Sequence, residues 1–226
     1  YRTMDGRYEA EFLRTFASFV EEGFIYRSKK PVYWSIPCRT ALAEAEIEYK
    51  DHVSPSIYVR FPLSEKVPNS YIIIWTTTPW TIPANKALAF NSNIEYAVLE
   101  IDQLEHFKDK KIVVAKNLID SICKECDIKT FKEIKTFKGS ELSGTVCSHP
   151  FVKKGFDYDV PMWEARFVNT EQGTGIVHCA PSHGPDDFNL CLNHGIKAIE
   201  TVDGDGKYTK NVHLFEGNHI FKANPI

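Results

Sequence analysis

The sequence predicts a mixed α+β protein, with a strand-rich β-barrel or sandwich core decorated by a few helices. Three observations carry that expectation. Short apolar runs with strand-like alternation recur along the chain, as in SYIIIWTTT, EYAVLEI and KIVVA. Only three stretches read as helices. No internal repeat of about 20–50 residues, the mark of a solenoid or propeller, organises the chain.

In order, apolar residues recur over 5–22 at Tyr8, Phe12, Leu13, Phe16, Phe19 and Val20, the stripe of a helix that Gly23 is placed to end. FIYRSKKPVYWS and EAEIEYKDHVSPSIYVRFPL then alternate as strands do, and SYIIIWTTT, EYAVLEI and KIVVA continue the signal. A second helix is expected over 116–126, with Leu118, Ile119, Ile122, Cys123 and Cys126 on one side. KTFKEIKTFKG, MWEARFVN and GTGIVHCAP read as further strands. A last helix should start near Pro185, whose missing N–H costs nothing in a first turn, and run to Asn193 before Gly195. The tail offers a turn, VDGDGKY, and short strand pieces.

At 226 residues, with 43% hydrophobic and 25% charged residues, the chain can bury a sizeable core. The longest apolar run, over 71–75, is far too short to span a bilayer, and no signal-peptide pattern opens the chain. It begins at Tyr1 and stops in mid-pattern at Ile226, which reads as a piece of something longer. A net charge of −3 gives no overall electrostatic reason to bind nucleic acid. Locally, nine lysines from Lys108 to Lys138 outnumber Asp109, Asp120, Glu125, Asp127 and Glu133, a face that suits either phosphate contact or plain solvation. Six cysteines without regular spacing fit free thiols in a reducing cytosol.

Chemistry concentrates in two places. WTTTPWTIPAN, residues 75–85, puts four threonines beside two stiffening prolines; the threonines are good strand-end residues or a hydroxyl-lined wall. GTGIVHCAPSHGPDDF, residues 173–188, threads Gly173 and Gly175, where backbone can approach a ligand closely, into a strand that delivers His178. Asp186 and Asp187 fall in the first turn of the next helix, where a carboxylate suits the helix dipole or anchors a cation. Cys179 is a poor partner for His178, because neighbours on a strand face opposite ways. Cys123 and Cys126 supply half the spacing of a zinc knuckle, with Cys147 and His149 as conceivable partners, but the first two lie on the apolar side of their helix. DGDG lacks the remaining ligands of a calcium loop, and no phosphate-binding loop occurs.

Together the two motifs resemble the editing domain inserted into isoleucyl-tRNA synthetases, a fold shared with the valine and leucine enzymes. KKPVYWS (29–35), ALAEAEIEY (41–49) and HPF (149–151) support the resemblance, which covers essentially all of 1–226. Thr78-Pro79-Trp80 stands where the leucine and valine relatives carry an arginine, and the His-Gly-x-Asp-Asp form is similar to the bacterial or organellar type. Cys179 and Ser182 depart from the threonine and glycine commoner in the motif. The synthetase's HIGH-like and KMSKS-like motifs are absent. The resemblance therefore implies one editing domain cut from a longer cytoplasmic enzyme, whose ends, 1–30 and 215–226, lead back towards the catalytic domain.

It also implies an aminoacyl-tRNA deacylase that hydrolyses valine misattached to the isoleucine tRNA, and related valyl-adenylate. Binding alone discriminates one methylene by only ~1–3 kcal/mol, a limit for which the isoleucine enzyme is itself the standard illustration. By position in the motif, Asp187 holds the substrate's α-ammonium and His178 lines the side-chain sieve. Thr76, Thr77, Thr78 and Asn85 orient water and stabilise the oxyanion. His178 is the obvious titrating group, but a positional role fits it better. The implied partners are the 3′ end of charged isoleucine tRNA and the synthetase's own catalytic domain; no metal, cofactor or membrane is expected. The competing readings are a module that docks the tRNA acceptor end without hydrolysis and a zinc-binding module.

Overall fold

The computed structural model describes residues 1–63, 69–101 and 110–224. Lys108 and Asp109 of the basic segment, and Pro225 and Ile226 of the expected tail, lie outside them. The chain forms two compact units, Tyr1–Lys30 and Pro31–Ile226.

The first unit holds α1, Gly6–Glu21. Asp5 caps it by accepting the Arg7 N–H at 2.9 Å, and Gly23, at φ +78°, follows its end in the left-handed region that glycine enters freely. The expected stripe forms, and its residues are exposed, Phe12 most of all.

The second unit is mixed α+β and strand-rich, as expected. A ribbon pairs β1, Trp34–Ser35, with β2, Thr40–Ala41. Five strands form one sheet: β3 (Ile57–Pro62), β4 (Ser70–Thr76), β6 (Glu95–Ile101), β7 (Lys110–Ala115) and β8 (Lys132–Lys138), in the order β3-β4-β7-β6-β8. Four more form a second: β5 (Ala87–Phe90), β9 (Val146–Ser148), β10 (Asp159–Glu164) and β11 (Val177–Cys179), in the order β11-β5-β10-β9. Among the described residues a single bridge, Leu63 to Cys147, joins the two sheets at their β3 and β9 edges. No ladder among the described residues closes this series into a ring.

The unbroken apolar run of β4 fits its place inside the sheet, between β3 and β7, with Ile72, Ile73 and Ile74 all buried. Strand β5 is buried throughout and divides its faces by alternation: Leu88 and Phe90 join the main core, while Ala87 and Ala89 join a smaller one with Ala165, Val168, Cys179 and Cys191. Helix α2 (Ile119–Glu125) follows a 3₁₀ turn, Lys116–Leu118. Helix α3 is Pro185–Asn193, with Gly195 just beyond it at φ +79°, and α4 is Ile220–Ala223. No helix of the described residues is long and apolar enough to cross a membrane.

Sequence alternation overstated the strands before residue 57. Only β1 and β2 form there, and Glu44–Glu46 is a 3₁₀ turn whose Glu46 carboxylate accepts the Ala43 N–H at 2.7 Å. Alternation supplies one apolar face, whereas a ladder also needs a neighbouring strand. The tail is a turn with bridges from Val202 to Tyr208 and from Lys207 to His219.

Gly173 and Gly175 approach protein rather than open space. Gly173 packs under Trp75, and a Cβ on Gly175, at φ +74°, would lie 2.4 Å from the Ala115 Cβ. The Gly175 carbonyl accepts the Tyr96 hydroxyl at 2.7 Å. Gly175→Ala is therefore expected to destabilise the protein by ~2–4 kcal/mol through clash and backbone strain. A urea midpoint equal to the parent's would refute that assignment.

Candidate functional site

The threonine-rich loop is the crossover between the sheets, since it leaves β4 and enters β5. Pro79 and Pro83 remove two N–H donors, and the chain between them winds into a 3₁₀ turn, Pro79–Ala84. Thr76, buried at the end of β4, accepts the Thr78 N–H at 3.0 Å. The Thr78 carbonyl accepts both the Thr81 N–H at 3.1 Å and the Thr81 hydroxyl at 2.8 Å. Thr77 is exposed and Thr78 half-buried, and neither hydroxyl has a partner among the described residues.

This loop meets the second motif at His178. Strand β11 pairs His178 with Leu88 of β5 and leaves the imidazole only 9% exposed. Its Nε2 lies 2.9 Å from Thr81 Oγ1 and its Nδ1 3.2 Å from Asn85 Nδ2. The amide orientation is set by Asn85 Nδ2 donating to the Ala87 carbonyl at 2.9 Å, since two oxygens would repel there. An amide nitrogen only donates, so His178 Nδ1 accepts and the proton sits on Nε2, which donates to Thr81. A directed chain results: Asn85 to His178, His178 to Thr81, Thr81 to the Thr78 carbonyl. Burial, with His183 and His149 nearby, pushes the His178 pKa down to about 4, so the ring is neutral at pH 7. Both ring nitrogens are thus engaged within the protein. Asn85 is fully buried, and its Oδ1 has no partner among the described residues.

Asp187 lies half-buried in the first turn of α3, and Asp186 beside it is exposed. Asp187 Oδ2 accepts the Ala180 N–H at 3.0 Å, which fastens the carboxylate to the end of the strand carrying His178. Gly184 leaves it room: a Cβ there would come within 3.0 Å of Oδ2. Burial, helped by Asp186 and opposed by the Ala180 amide, raises the Asp187 pKa to about 6. Ser182 donates to the Ile199 carbonyl at 2.6 Å and His183 Nε2 lies 2.8 Å from Thr201 Oγ1, so the turn before α3 is tied to the segment after it. The His183 ring stands edge-on to Trp80 at 4.9 Å, which joins this turn to the threonine loop.

Of the residues singled out from the sequence, Asn85 and His178 are in direct contact, Thr78 joins them through Thr81, and Asp187 is fastened two residues beyond His178. Thr76 braces the loop from inside, and Thr77 stands outside the network. Thr81, the fourth threonine, was given no role of its own, although its spacing of three from Thr78 after a proline is that of a 3₁₀ contact. Cys179 faces the smaller core, away from His178. His149 gives Nε2 to the Ile82 carbonyl at 3.0 Å and Nδ1 to the Phe151 N–H at 3.1 Å, which leaves no nitrogen for a metal. No group of three or more His, Cys, Asp or Glu among the described residues could hold a metal ion.

Residues 1–215 match the family of tRNA synthetases class I (I, L, M and V). The chain is 62% identical over 230 residues to the isoleucine–tRNA ligase of Pelagibacter ubique, covering 100% of this chain and 25% of that protein. It is 44% identical over 233 residues to that of Gluconobacter oxydans, covering 99% and 24%. The chain thus spans about a quarter of the length of the curated relatives it matches. Among solved structures, GlLeuRS-CP1 is similar at a TM-score of 0.49 and 17% identity, over 61% of this chain and 60% of that one. The editing domain of the cytosolic leucyl-tRNA synthetase of P. falciparum is similar at 0.46 and 15%, over 56% and 47%.

Proposed function

From the premise that this chain belongs to the class I tRNA synthetases, we propose that it is the editing domain of an isoleucyl-tRNA synthetase and hydrolyses valine misattached to the isoleucine tRNA. One observation carries the reading: two motifs about a hundred residues apart meet at a buried, neutral His178, with a half-buried carboxylate fastened to the same strand end.

The substrate's α-ammonium pairs with Asp187, whose partial burial strengthens the attraction over that of a solvated carboxylate. The amino-acid side chain then points towards His178. Because Thr81 and Asn85 hold both ring nitrogens, that wall cannot turn aside for an extra methylene, so valine is admitted and isoleucine rejected. The hydroxyls of Thr77 and Thr78 orient the attacking water and the ester oxygens. An ester is activated relative to an amide, so positioning, aided by the terminal ribose hydroxyl, suffices without a cofactor. Valyl-adenylate offers the same ammonium and side chain. The 3′ end of the tRNA, the catalytic domain of the same chain and a cytoplasmic location complete the reading.

Release of valine from valyl-tRNA for isoleucine by the full-length synthetase tests it. No hydrolysis above background would leave the domain as an acceptor-end docking module. The pH dependence adds a signature. Asp187 is ionised above about 6 and neutral below it, so kcat/KM for deacylation should fall as pH drops through about 6. Asp187→Asn should lack this acid limb; the same limb in the variant would assign it to another group.

A further inference from the structure

We infer that the threonine loop is held from beneath by three ring donors, His149, Tyr158 and Tyr208, which act as positioning residues for the sieve. This rests on the deacylase reading of the site.

The argument starts from the prolines. In a 3₁₀ turn the carbonyl of residue i accepts the N–H of residue i+3. The natural partner of the Trp80 carbonyl is therefore residue 83, a proline with no N–H to give. Tyr208 supplies the missing donor, its hydroxyl 2.6 Å from the Trp80 oxygen. At the turn's end the chain becomes extended at Asn85, whose carbonyl has left the helical pattern. Tyr158 donates to it at 2.7 Å. Between them, the Ile82 carbonyl accepts the Asn85 N–H at 3.0 Å and His149 Nε2 at 3.0 Å. The Phe151 N–H donates to His149 Nδ1, so the proton must sit on Nε2 and the ring is a donor towards the loop. Phe156 stacks on His149 at 4.7 Å and Phe61 meets it edge-on, which fixes the ring plane.

The three carbonyls, 80, 82 and 85, bracket Thr81 and include Asn85 itself, the two residues that grip His178. Releasing one carbonyl lets the turn shift, and the sieve loosens without any change in the residues that face substrate. The lever is the hydroxyl alone, since Tyr→Phe keeps the ring and its packing.

Tyr208→Phe and Tyr158→Phe in the full-length synthetase decide this. Each is expected to lower kcat for valyl-tRNA hydrolysis about five- to tenfold with KM within twofold, and to raise isoleucyl-tRNA hydrolysis by a similar factor. His149→Gln, whose amide can replace Nε2–H, should retain more activity than His149→Leu. A second readout does not depend on activity: ¹⁵N shifts of His178 should report the Nε2–H tautomer in the parent and a mixture in the tyrosine variants. If the parent fails to hydrolyse valyl-tRNA, the deacylase reading falls while the nitrogen shifts still decide the loop support. Unchanged kcat, selectivity and His178 shifts in both tyrosine variants overturn the inference. A fall in melting temperature with those three unchanged also overturns it, since the hydroxyls then stabilise without positioning.

Discussion

Asp187→Asn in the full-length synthetase is expected to slow deacylation of valyl-tRNA for isoleucine about 30- to 150-fold, the worth of a charge-assisted contact of ~2–3 kcal/mol. Asparagine is the informative replacement. It keeps an oxygen for the Ala180 N–H, which Asp187 Oδ2 accepts at 3.0 Å, so the turn into α3 stays fastened while the charge disappears. Asp187→Ala removes both and should be at least as slow. An asparagine variant with parental kinetics would show that the carboxylate fastens the turn into α3 and nothing more.

On the deacylase reading proposed above, His178→Ala should open the sieve, and hydrolysis of isoleucyl-tRNA should rise roughly tenfold or more over the parent's. The ring is almost wholly buried and its replacement leaves Thr81 Oγ1 and Asn85 Nδ2 each one partner short. A stability loss of ~3 kcal/mol is therefore expected alongside, measurable as a lower melting temperature. Since His178 is neutral and engaged at both nitrogens, valyl-tRNA hydrolysis should persist at a reduced rate. Persistent valine hydrolysis with undiminished isoleucine resistance would move the sieve to other residues. Complete loss of valine hydrolysis in a folded variant would instead return His178 to acid–base chemistry.

The residues that carry these predictions were legible to different depths. Asp187 and His178 announce themselves through motif and residue type, and Pro185 marks the helix start that places the carboxylate. Thr81 was visible only as one of four threonines. Asn85 read as a donor towards the substrate, whereas its amide turns inwards to His178 and the Ala87 carbonyl. His149 drew notice for a metal and proves to be a ring locked between two backbone groups. The glycines of the second motif suggested room for a ligand, and the space beside them is filled by Trp75 and Ala115.

Local order was decided by neighbours along the chain. Asp5 and Gly23 bound α1, Pro185 opens α3, Gly195 follows it, and the isoleucines of β4 require burial wherever the strand ends up. Each of these depends on groups within a turn or a strand of one another, which a linear reading captures. The chemistry of the site was decided by tertiary structure. His178 becomes neutral through burial, and its ring is oriented because Thr81 and Asn85, 97 and 93 residues away, claim its two nitrogens. Strand β5, too short and alanine-rich to stand out, exists because β10 and β11 flank it. The alternating stretches before residue 57 remain largely unpaired for the converse reason. Hydrogen-bond partners and buried surroundings are properties of the folded neighbourhood, so residue type can nominate His178, but only packing assigns its proton.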